Sequence, residues 1–591
     1  MCGFLGKIAF TDFDSKELEQ PNSQIICRGP DNTKKFELLK ENLKASLIFN
    51  RLSILDLAEN ANQPMHSENS KSILMFNGEI YNYKELRKYL STKGCNFKTS
   101  HSDTEVVLNG LEIEGIEFIN KLRGQFSIFY LNQVERKFYL IRDRLGQKPL
   151  YFYNNNDLFI FGSNLSAVKQ LTSNESLAQD QINNYLKYGV VGGSKTIYEN
   201  IYKVLPAEAI EINFSNDSFI TNNKKYWDIN GKVDNLKFDK EEFFSILSES
   251  IEMRLIADVP VANFLSGGLD SSTIVKNMYE NDNEINTFTV STESKKYDES
   301  LWANKVSEKY NTNHKVSYVS SDLNIQLANE AIDSLDEPYS DPSVIPSFLI
   351  SNEISKHYKV AISGDGGDEL LGGYERTEKS LKNINNFQNM FSKLYKIYPS
   401  FLGTGANFLS KSNELSTRYR SFLEDENLLK LLKINLDNTD DYINLNKNID
   451  RYKSLLLADY NFFLPDMMLF KIDRTSMANS LEVRSPFVDH KLIEYILSRS
   501  TEYRNSNIKK SLLKNYLIED FDSNFINRKK QGFVFDLESW IFNNFDYFYD
   551  YLVNSGVSRI VDLNSLKLLK LNKSRINSNR IWKLYVLNKF I

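Results

Sequence analysis

Residue two is a cysteine, and no other feature limits this chain so tightly. Once Met1 is removed, Cys2 carries a thiol beside a free α-amine, whose reference pKa of roughly 7.7–8.0 suits it to take the thiol proton near neutrality. Nucleophile and base then share one residue. The pair has a use only if the rest of the sequence supplies an amide-cleaving site; otherwise Cys2 is a small residue that follows the initiator.

At 591 residues the chain exceeds one ordinary domain, and its length predicts two to four. A net charge of −5 and a pI near 5.8 argue against a general nucleic-acid binder, which needs clustered Lys and Arg, and point to small-molecule partners. Cys2, Cys27 and Cys95 form neither a disulfide framework nor a CxxC zinc pair. The start lacks a basic stretch followed by an apolar one, and no apolar run approaches the roughly 18 residues of a membrane helix. The chain reads as soluble and cytoplasmic, with no membrane or nucleic-acid partner.

Residues 1 to about 210 alternate β-like runs with turns, as in Ser72–Phe76, Phe126–Tyr130, Phe138–Ile141 and Leu158–Phe161. A polar stretch rich in Asn, Lys and Asp reads as a boundary that still has room for a strand or two. From about Glu241, apolar residues at helical spacing alternate with the short strands Val259–Leu265 and Lys359–Ile362, which predicts a parallel α/β sheet. Leu381 to Asn461 is mostly helical in pattern. The expected divisions are 1–212, a boundary segment 213–240, 241–545, and a helical tail 546–591.

Around Cys2, four segments hold what an amide substrate needs: Arg28-Gly29-Pro30-Asp31, Arg51 to Leu57, Phe76 to Asn82, and Ser102-Asp103-Thr104-Glu105. Thiolate attack develops an oxyanion, which the Asn77 amide and the Gly78 N–H are suited to stabilise. Arg51 suits a substrate carboxylate, and Asp103 an ammonium. Taken singly, Asn77-Gly78 is a hairpin turn, Arg51 a surface ion pair and Asp103 a helix N-cap.

Farther on, the strand ending at Leu265 runs into Ser266-Gly267-Gly268-Leu269-Asp270-Ser271-Ser272 and then a helix. Such a turn aims backbone N–H groups and the positive helix end at a phosphate, without the Gly-Lys-Ser/Thr of a Walker loop. A second loop, Ser363 to Tyr374, follows Val360-Ala361-Ile362. Asp270 and Asp368, at two strand ends, form a natural pair for Mg²⁺ on a polyphosphate, with helix capping as the competing role.

The first group of segments resembles the class-II glutamine amidotransferase domain over roughly the first 200 positions, and the Ser266–Ser272 loop resembles the PP-loop of ATP pyrophosphatases. Joined to Leu335-Asp336-Glu337-Pro338, Lys471 to Met477, Leu481 to Phe487 and Arg528 to Phe533, they resemble the glutamine-hydrolysing asparagine synthetase family over nearly the whole chain. The resemblance implies an N-terminal αββα sandwich of N-terminal-nucleophile hydrolases, then a parallel-sheet α/β PP-loop domain with a helical C-terminal part. It implies that Cys2 hydrolyses glutamine held by Arg51, Leu52, Ser53, Ile54, Leu55, Asn77, Gly78, Glu79 and Asp103. Leu265, Ser266, Gly267, Gly268, Asp270, Ser271, Val290, Ser363, Gly364 and Tyr374 are implied to bind ATP, with Asp365 beside the acyl-adenylate, Lys530 facing pyrophosphate, and Mg²⁺ on Asp270 and Asp368. It leaves room for a homodimer.

Asn50 and Asn164 depart from the basic and acidic residues usual in the family, Ser291-Thr292-Glu293 replaces a common Gly-Phe, and Gln531 to Phe535 lacks the usual following Pro. The expected reaction is aspartate to asparagine through an acyl-AMP. The alternative is a ligase of the same architecture acting on another carboxylate, such as a sugar acid. A tRNA-modifying enzyme would need a basic surface, and a binding module would need neither a nucleophile nor a leaving-group lysine.

Overall fold

In the computed structural model the described residues are 2–40, 42–172, 176–215, 218–292, 298–319, 324–504, 509–528 and 535–591. The aromatic and β-branched runs of the first half form two six-stranded sheets. One has the order Ile201–Lys203, Tyr151–Asn155, Leu158–Gly162, Gly3–Ala9, Leu43–Arg51, Asn32–Lys40, with antiparallel pairing throughout. The other runs Ser218–Lys225, Glu208–Ser215, Lys137–Arg142, Gly124–Asn132, Ser72–Ile80, Met65–His66.

Side-chain alternation along these strands builds the layers, because successive residues point to opposite faces. Phe4, Leu47 and Phe49 of the first sheet meet Met75, Phe129 and Leu140 of the second in a shared core. The outer face of the second sheet (Leu74, Phe76, Ile128) packs on helices Tyr83–Thr92 and Asp103–Glu114. Leu5, Ile48 and Ile160, on the outer face of the first, pack on helices Leu165–Leu171 and Gln179–Tyr188. The result is the expected αββα sandwich. The boundary placed at 212/213 falls inside strand Glu208–Ser215, and the sheet continues to Lys225 through eight paired positions from Glu208↔Lys225 to Ser215↔Ser218.

The second half is built on a five-stranded parallel sheet ordered Asn313–Val319, Asn286–Thr292, Val261–Phe264, Val360–Ile362, Glu482–Arg484. Helices Lys240–Arg254, Leu269–Glu280 and His490–Ser498 share one core beside it. Ile350 and Ile472, on helices Val344–Ser355 and Phe470–Met477, pack with Ala262, Phe288 and Ala361 on the other side. From Val261–Phe264 the chain builds outward in one direction, then returns to build in the other. That reversal opens a crevice at the carboxyl ends of Val261–Phe264 and Val360–Ile362. The segment 381–461, predicted helical, is a series of short helices with extended stretches between them. The C-terminal helix Arg575–Leu587 is no free tail: Tyr185 donates to the Lys583 carbonyl at 2.8 Å and Lys583 to the Leu186 carbonyl at 2.9 Å, fastening it to the sandwich.

Candidate active sites and the wall between them

Cys2 immediately precedes strand Gly3–Ala9, which runs through the middle of the first sheet, and only 7% of its surface is exposed. Its backbone nitrogen, the future α-amine, donates to Asn77 Oδ1 at 3.0 Å, and Arg28 Nε donates to its carbonyl at 3.2 Å. Burial pushes the Cys2 thiol above its ordinary value, against the opposing Leu52 backbone and Arg51 charge. A thiol held neutral in this way needs its base at hand.

Asn77 takes a further part beside the one its sequence predicts: its carbonyl holds the nucleophile's nitrogen, while its Nδ2 gives one of its two N–H donors to Ser127 Oγ at 3.3 Å. Gly78 is required by close approach, since a Cβ there would lie 2.0 Å from the Gln125 carbonyl oxygen. Arg51, expected to clasp a carboxylate, has its terminal nitrogens on the Ala58, Leu55 and Asp56 carbonyls and on Asn62 Oδ1, so it fastens the loop that follows its strand. In that loop the Ser53 N–H donates to Asp31 at 2.7 Å, Leu55 joins the second-sheet core, and Leu52 and Ile54 pack on Val360 and Met477 of the other half.

Asp103 is the first residue of its helix, after Ser102, and accepts from the Ile80 N–H at 3.0 Å. It is pushed up to about 6, chiefly by burial. Glu79 rises well above the carboxylate range through burial and the Asp103 charge, and pairs with Arg484 at 3.2 Å.

The crevice of the parallel sheet holds a cavity of about 830 Å³ lined by both glycine-rich loops. Leu265, Ser266, Gly267, Gly268, Asp270, Ser271, Val290, Ser363, Gly364, Asp365, Asp368 and Tyr374 all border it. Gly267 has φ +63°, and a Cβ there would lie 2.5 Å from Trp302 carbonyl carbon. The turn thus brings the start of helix Leu269–Glu280 to the cavity without a side chain in the way. Ser363 Oγ donates to Asp365 at 2.8 Å and lies 3.0 Å from Ser485 Oγ. Arg528, in a segment whose role sequence left open, donates to the Ser266 carbonyl at 3.1 Å. Lys530, Gln531 to Val534 and Glu293 lie outside the described residues.

Asp270 and Asp368 do converge, and on one cation: Lys510 Nζ sits 2.6 Å from each. Glycines make the cluster possible, since a Cβ at Gly367 would lie 2.6 Å from Asp270 Oδ1 and one at Gly373 2.1 Å from Asp368 Oδ1. A point charge bracketed by two carboxylates is the environment that Mg²⁺ takes with phosphate oxygens, so the pair fits the metal and Lys510 stands in its place. Among the described residues no group of three or more His, Cys, Asp or Glu side chains forms a metal site.

Between the sites stands a polar wall that sequence did not assemble. Asp473 accepts Arg28 at 2.8 and 3.1 Å and lies 3.5 Å from Lys148. Asp336 accepts Arg474 at 2.9 Å and the Leu165 N–H at 2.9 Å, and Glu337 pairs with Lys203 at 2.7 Å. Burial works against the ionisation of Glu482, while the amino-terminal charge, then Arg484 and Lys148, hold its carboxyl below its ordinary value. Arg28 thus touches Cys2 and the helix Phe470–Met477, whose Ile472, Thr475 and Ser476 line the other cavity. Pairing of opposite charges between distant segments has no local sequence signature, so the sequence gives no pairing role to Arg28, Lys148, Asp473 or Arg484.

A buried amino-terminal thiol beside a glycine-rich nucleotide crevice defines an ATP-dependent ligase that hydrolyses glutamine. The chain belongs to the asparagine synthase family: the Asparagine synthase family matches residues 242–588 and the Glutamine amidotransferase domain residues 1–227. It is 30% identical to Asparagine synthetase [glutamine-hydrolyzing] 1 of Bacillus subtilis (strain 168) over 567 residues, 92% of this chain and 88% of that protein. A putative asparagine synthetase [glutamine-hydrolyzing] 2 of Methanocaldococcus jannaschii is 32% identical over 63% of this chain and 76% of its own length. A solved structure described as the allosteric regulatory enzyme of purine biosynthesis aligns over 54% of this chain and 80% of its own, with 14% identity and a TM-score of 0.30.

Proposed function

We propose that the chain makes asparagine from aspartate, with ammonia released from glutamine at Cys2 and carried inside the protein to an aspartyl-adenylate. The α-amine on Asn77 takes the Cys2 proton, the thiolate attacks the glutamine amide, and the Gly78 N–H and Asn77 receive the oxyanion. Asp103 holds the glutamine ammonium, and Arg51, through its bonds to the Leu55, Asp56 and Ala58 carbonyls, fixes the loop that shapes the pocket for the glutamine carboxylate. As the oxyanion collapses, the C–N bond breaks and the α-ammonium returns its proton to the leaving ammonia; water then hydrolyses the thioester to glutamate and restores the Cys2 thiol.

In the crevice, the turn at Ser266–Ser272 receives the phosphates and Asp365 lies beside the reacting carboxylate. Asp270 and Asp368 would hold Mg²⁺, which neutralises phosphate charge when bound. Lys530 faces the departing pyrophosphate, as the resemblance implies. Ammonia is mostly protonated in neutral water, so the wall of buried ion pairs that joins Cys2 to the crevice through Arg28 and Asp473 is the observation that carries a two-site reaction.

A second acceptor has one observation in its favour. Ser347 and Ser351, one turn apart on helix Val344–Ser355, and Thr475 and Ser476 on the facing helix, give the cavity a hydroxyl-bearing wall suited to a sugar acid. The test is pyrophosphate release from ATP across a panel of carboxylic acids. Aspartate alone is expected to support it with AMP as the nucleotide product; release only with a uronic acid transfers the assignment to that acceptor, and ADP as product refutes adenylation.

A further inference from the structure

We infer that this protein has a second working surface, a basic and apolar face in its C-terminal helical region that docks on an anionic lipid bilayer. Segment Asn386–Ile397, an α-helix that tightens to 3₁₀ at Lys393, exposes Phe387, Met390, Leu394 and Ile397 by 65, 56, 42 and 79%. Their spacing of three, four and three residues puts them on one side of the helix. The other side is tied to the protein: Tyr395 donates to Asn427 Oδ1 at 3.1 Å, and a Cβ at Gly405 would lie 2.5 Å from the Tyr395 ring. The exposed row is therefore held outward on an anchored element.

A second segment extends the same face. Asn572 and Asn577 donate to the Leu402 and Phe401 carbonyls, both at 2.9 Å, and Arg580 to the Ser400 carbonyl at 2.8 Å. This places Leu571, 72% exposed, and Ile576, 40% exposed, beside the end of the first segment.

Charge identifies the occupant. The protein carries a net charge of −5, yet no Asp or Glu occurs from Lys379 to Asn413 or from Leu563 to the last residue, Ile591. Lys393, Lys396, Lys567, Lys573 and Arg575 are exposed on these stretches. The acidic side chains that reach these stretches fall on Lys379 (Glu375, 2.8 Å), Lys570 (Asp546, 2.8 Å) and the buried Arg580 (Asp425, 2.6 Å), and Glu426 lies beside Tyr395 on the anchored side. Large apolar side chains projecting between lysines suit the plane of a headgroup layer, where apolar groups enter the acyl boundary and ammonium groups stay with lipid phosphates. An acidic protein would match the charge but would leave convex Phe387 and Ile397 without pockets. No described helix is long and apolar enough to cross a membrane, so the contact is peripheral.

The test is co-sedimentation of the full-length protein with vesicles of phosphatidylglycerol and phosphatidylcholine, or of phosphatidylcholine alone, at low and high salt. The protein is expected to pellet with the anionic vesicles at low salt only. Each basic residue contributes about fivefold to such binding, so Lys393→Gln with Lys396→Gln should weaken it about twenty-five-fold. Phe387→Ser with Ile397→Ser should abolish it, while pyrophosphate release in solution stays unchanged in both variants. Absence of binding to anionic vesicles, or equal binding to neutral ones, overturns the inference. So does a dimer in sedimentation equilibrium that Phe387→Ser with Ile397→Ser dissociates, which would make a second copy the occupant, or retention on polyglutamate that those serines leave untouched.

Discussion

Replacing Asp473 with Asn should loosen the two halves of the protein from one another. Asp473 is buried and receives both terminal nitrogens of Arg28 at 2.8 and 3.1 Å, with Lys148 at 3.5 Å and Arg474 at 3.4 Å. Burial opposes its ionisation, but the Arg28, Lys148 and Arg474 charges hold the carboxyl well below its usual range. Because the folded pKa is depressed, this stabilisation is complete above the unfolded carboxylate pKa and is lost only as pH falls through the folded value, so it is fully present at pH 7. Asparagine keeps the shape and one acceptor but leaves the cations without their shared counter-charge. Removing one partner of a buried pair costs about 3–5 kcal/mol; Asp336 still serves Arg474, so about 3 kcal/mol is expected, or roughly 150-fold in the opening of the interface. Hydrogen exchange should accelerate by that order in Phe470–Met477 and Ile26–Arg28, and not in strand Ser72–Ile80. The ratio of glutamate to AMP should rise as ammonia escapes, while synthesis from added ammonium salt persists. Unchanged exchange at the interface together with an unchanged ratio would refute the role given to this ion pair.

Cys2→Ala should abolish glutaminase activity and glutamine-driven synthesis while ammonium-driven synthesis at mildly alkaline pH survives; retained glutamine-driven synthesis would eliminate Cys2 as the nucleophile. With Asp103 pushed up to about 6, its carboxylate is lost as pH falls, so the KM for glutamine should climb about tenfold one unit below that value, and Asp103→Asn should have a high, flat KM; a flat wild-type profile from pH 5 to 7 contradicts its place on the ammonium. Lys510→Met should raise Mn²⁺ affinity without nucleotide by about tenfold in equilibrium dialysis, because the Lys510 ammonium, 2.6 Å from both carboxylates, competes with the metal, and a competitor bound about nine-tenths of the time would lower apparent affinity by that factor. Equal affinity in the two proteins would mean that Lys510 does not compete for the carboxylates.

The sequence alone determined those features whose physics is local. Aromatic and β-branched runs such as Phe126–Tyr130 and Leu158–Phe161 had to become strands, here buried on both faces, and the glycine-rich runs after Leu265 and Ile362 had to be turns, in which Gly267 and Gly366 take positive φ, +63° and +87°. Cys2, Asn77 and the two Gly/Asp loops could likewise be named, because each lies in a short motif whose residue types serve one chemistry. Roles that depend on which distant groups meet were decided by the tertiary structure. Asn77 turned its carbonyl to the Cys2 nitrogen because strand Ser72–Ile80 lies beneath strand Gly3–Ala9 in the facing sheet, and Arg51 became a loop clamp because four acceptors closed around it. Asp270 and Asp368 met on Lys510, 240 residues from Asp270 along the chain. Asp336, Asp473 and Arg484, visible in the sequence as parts of short motifs, proved to be pieces of the wall between the two sites. Coulomb attraction depends on separation in space, and separation along the chain carries no record of it.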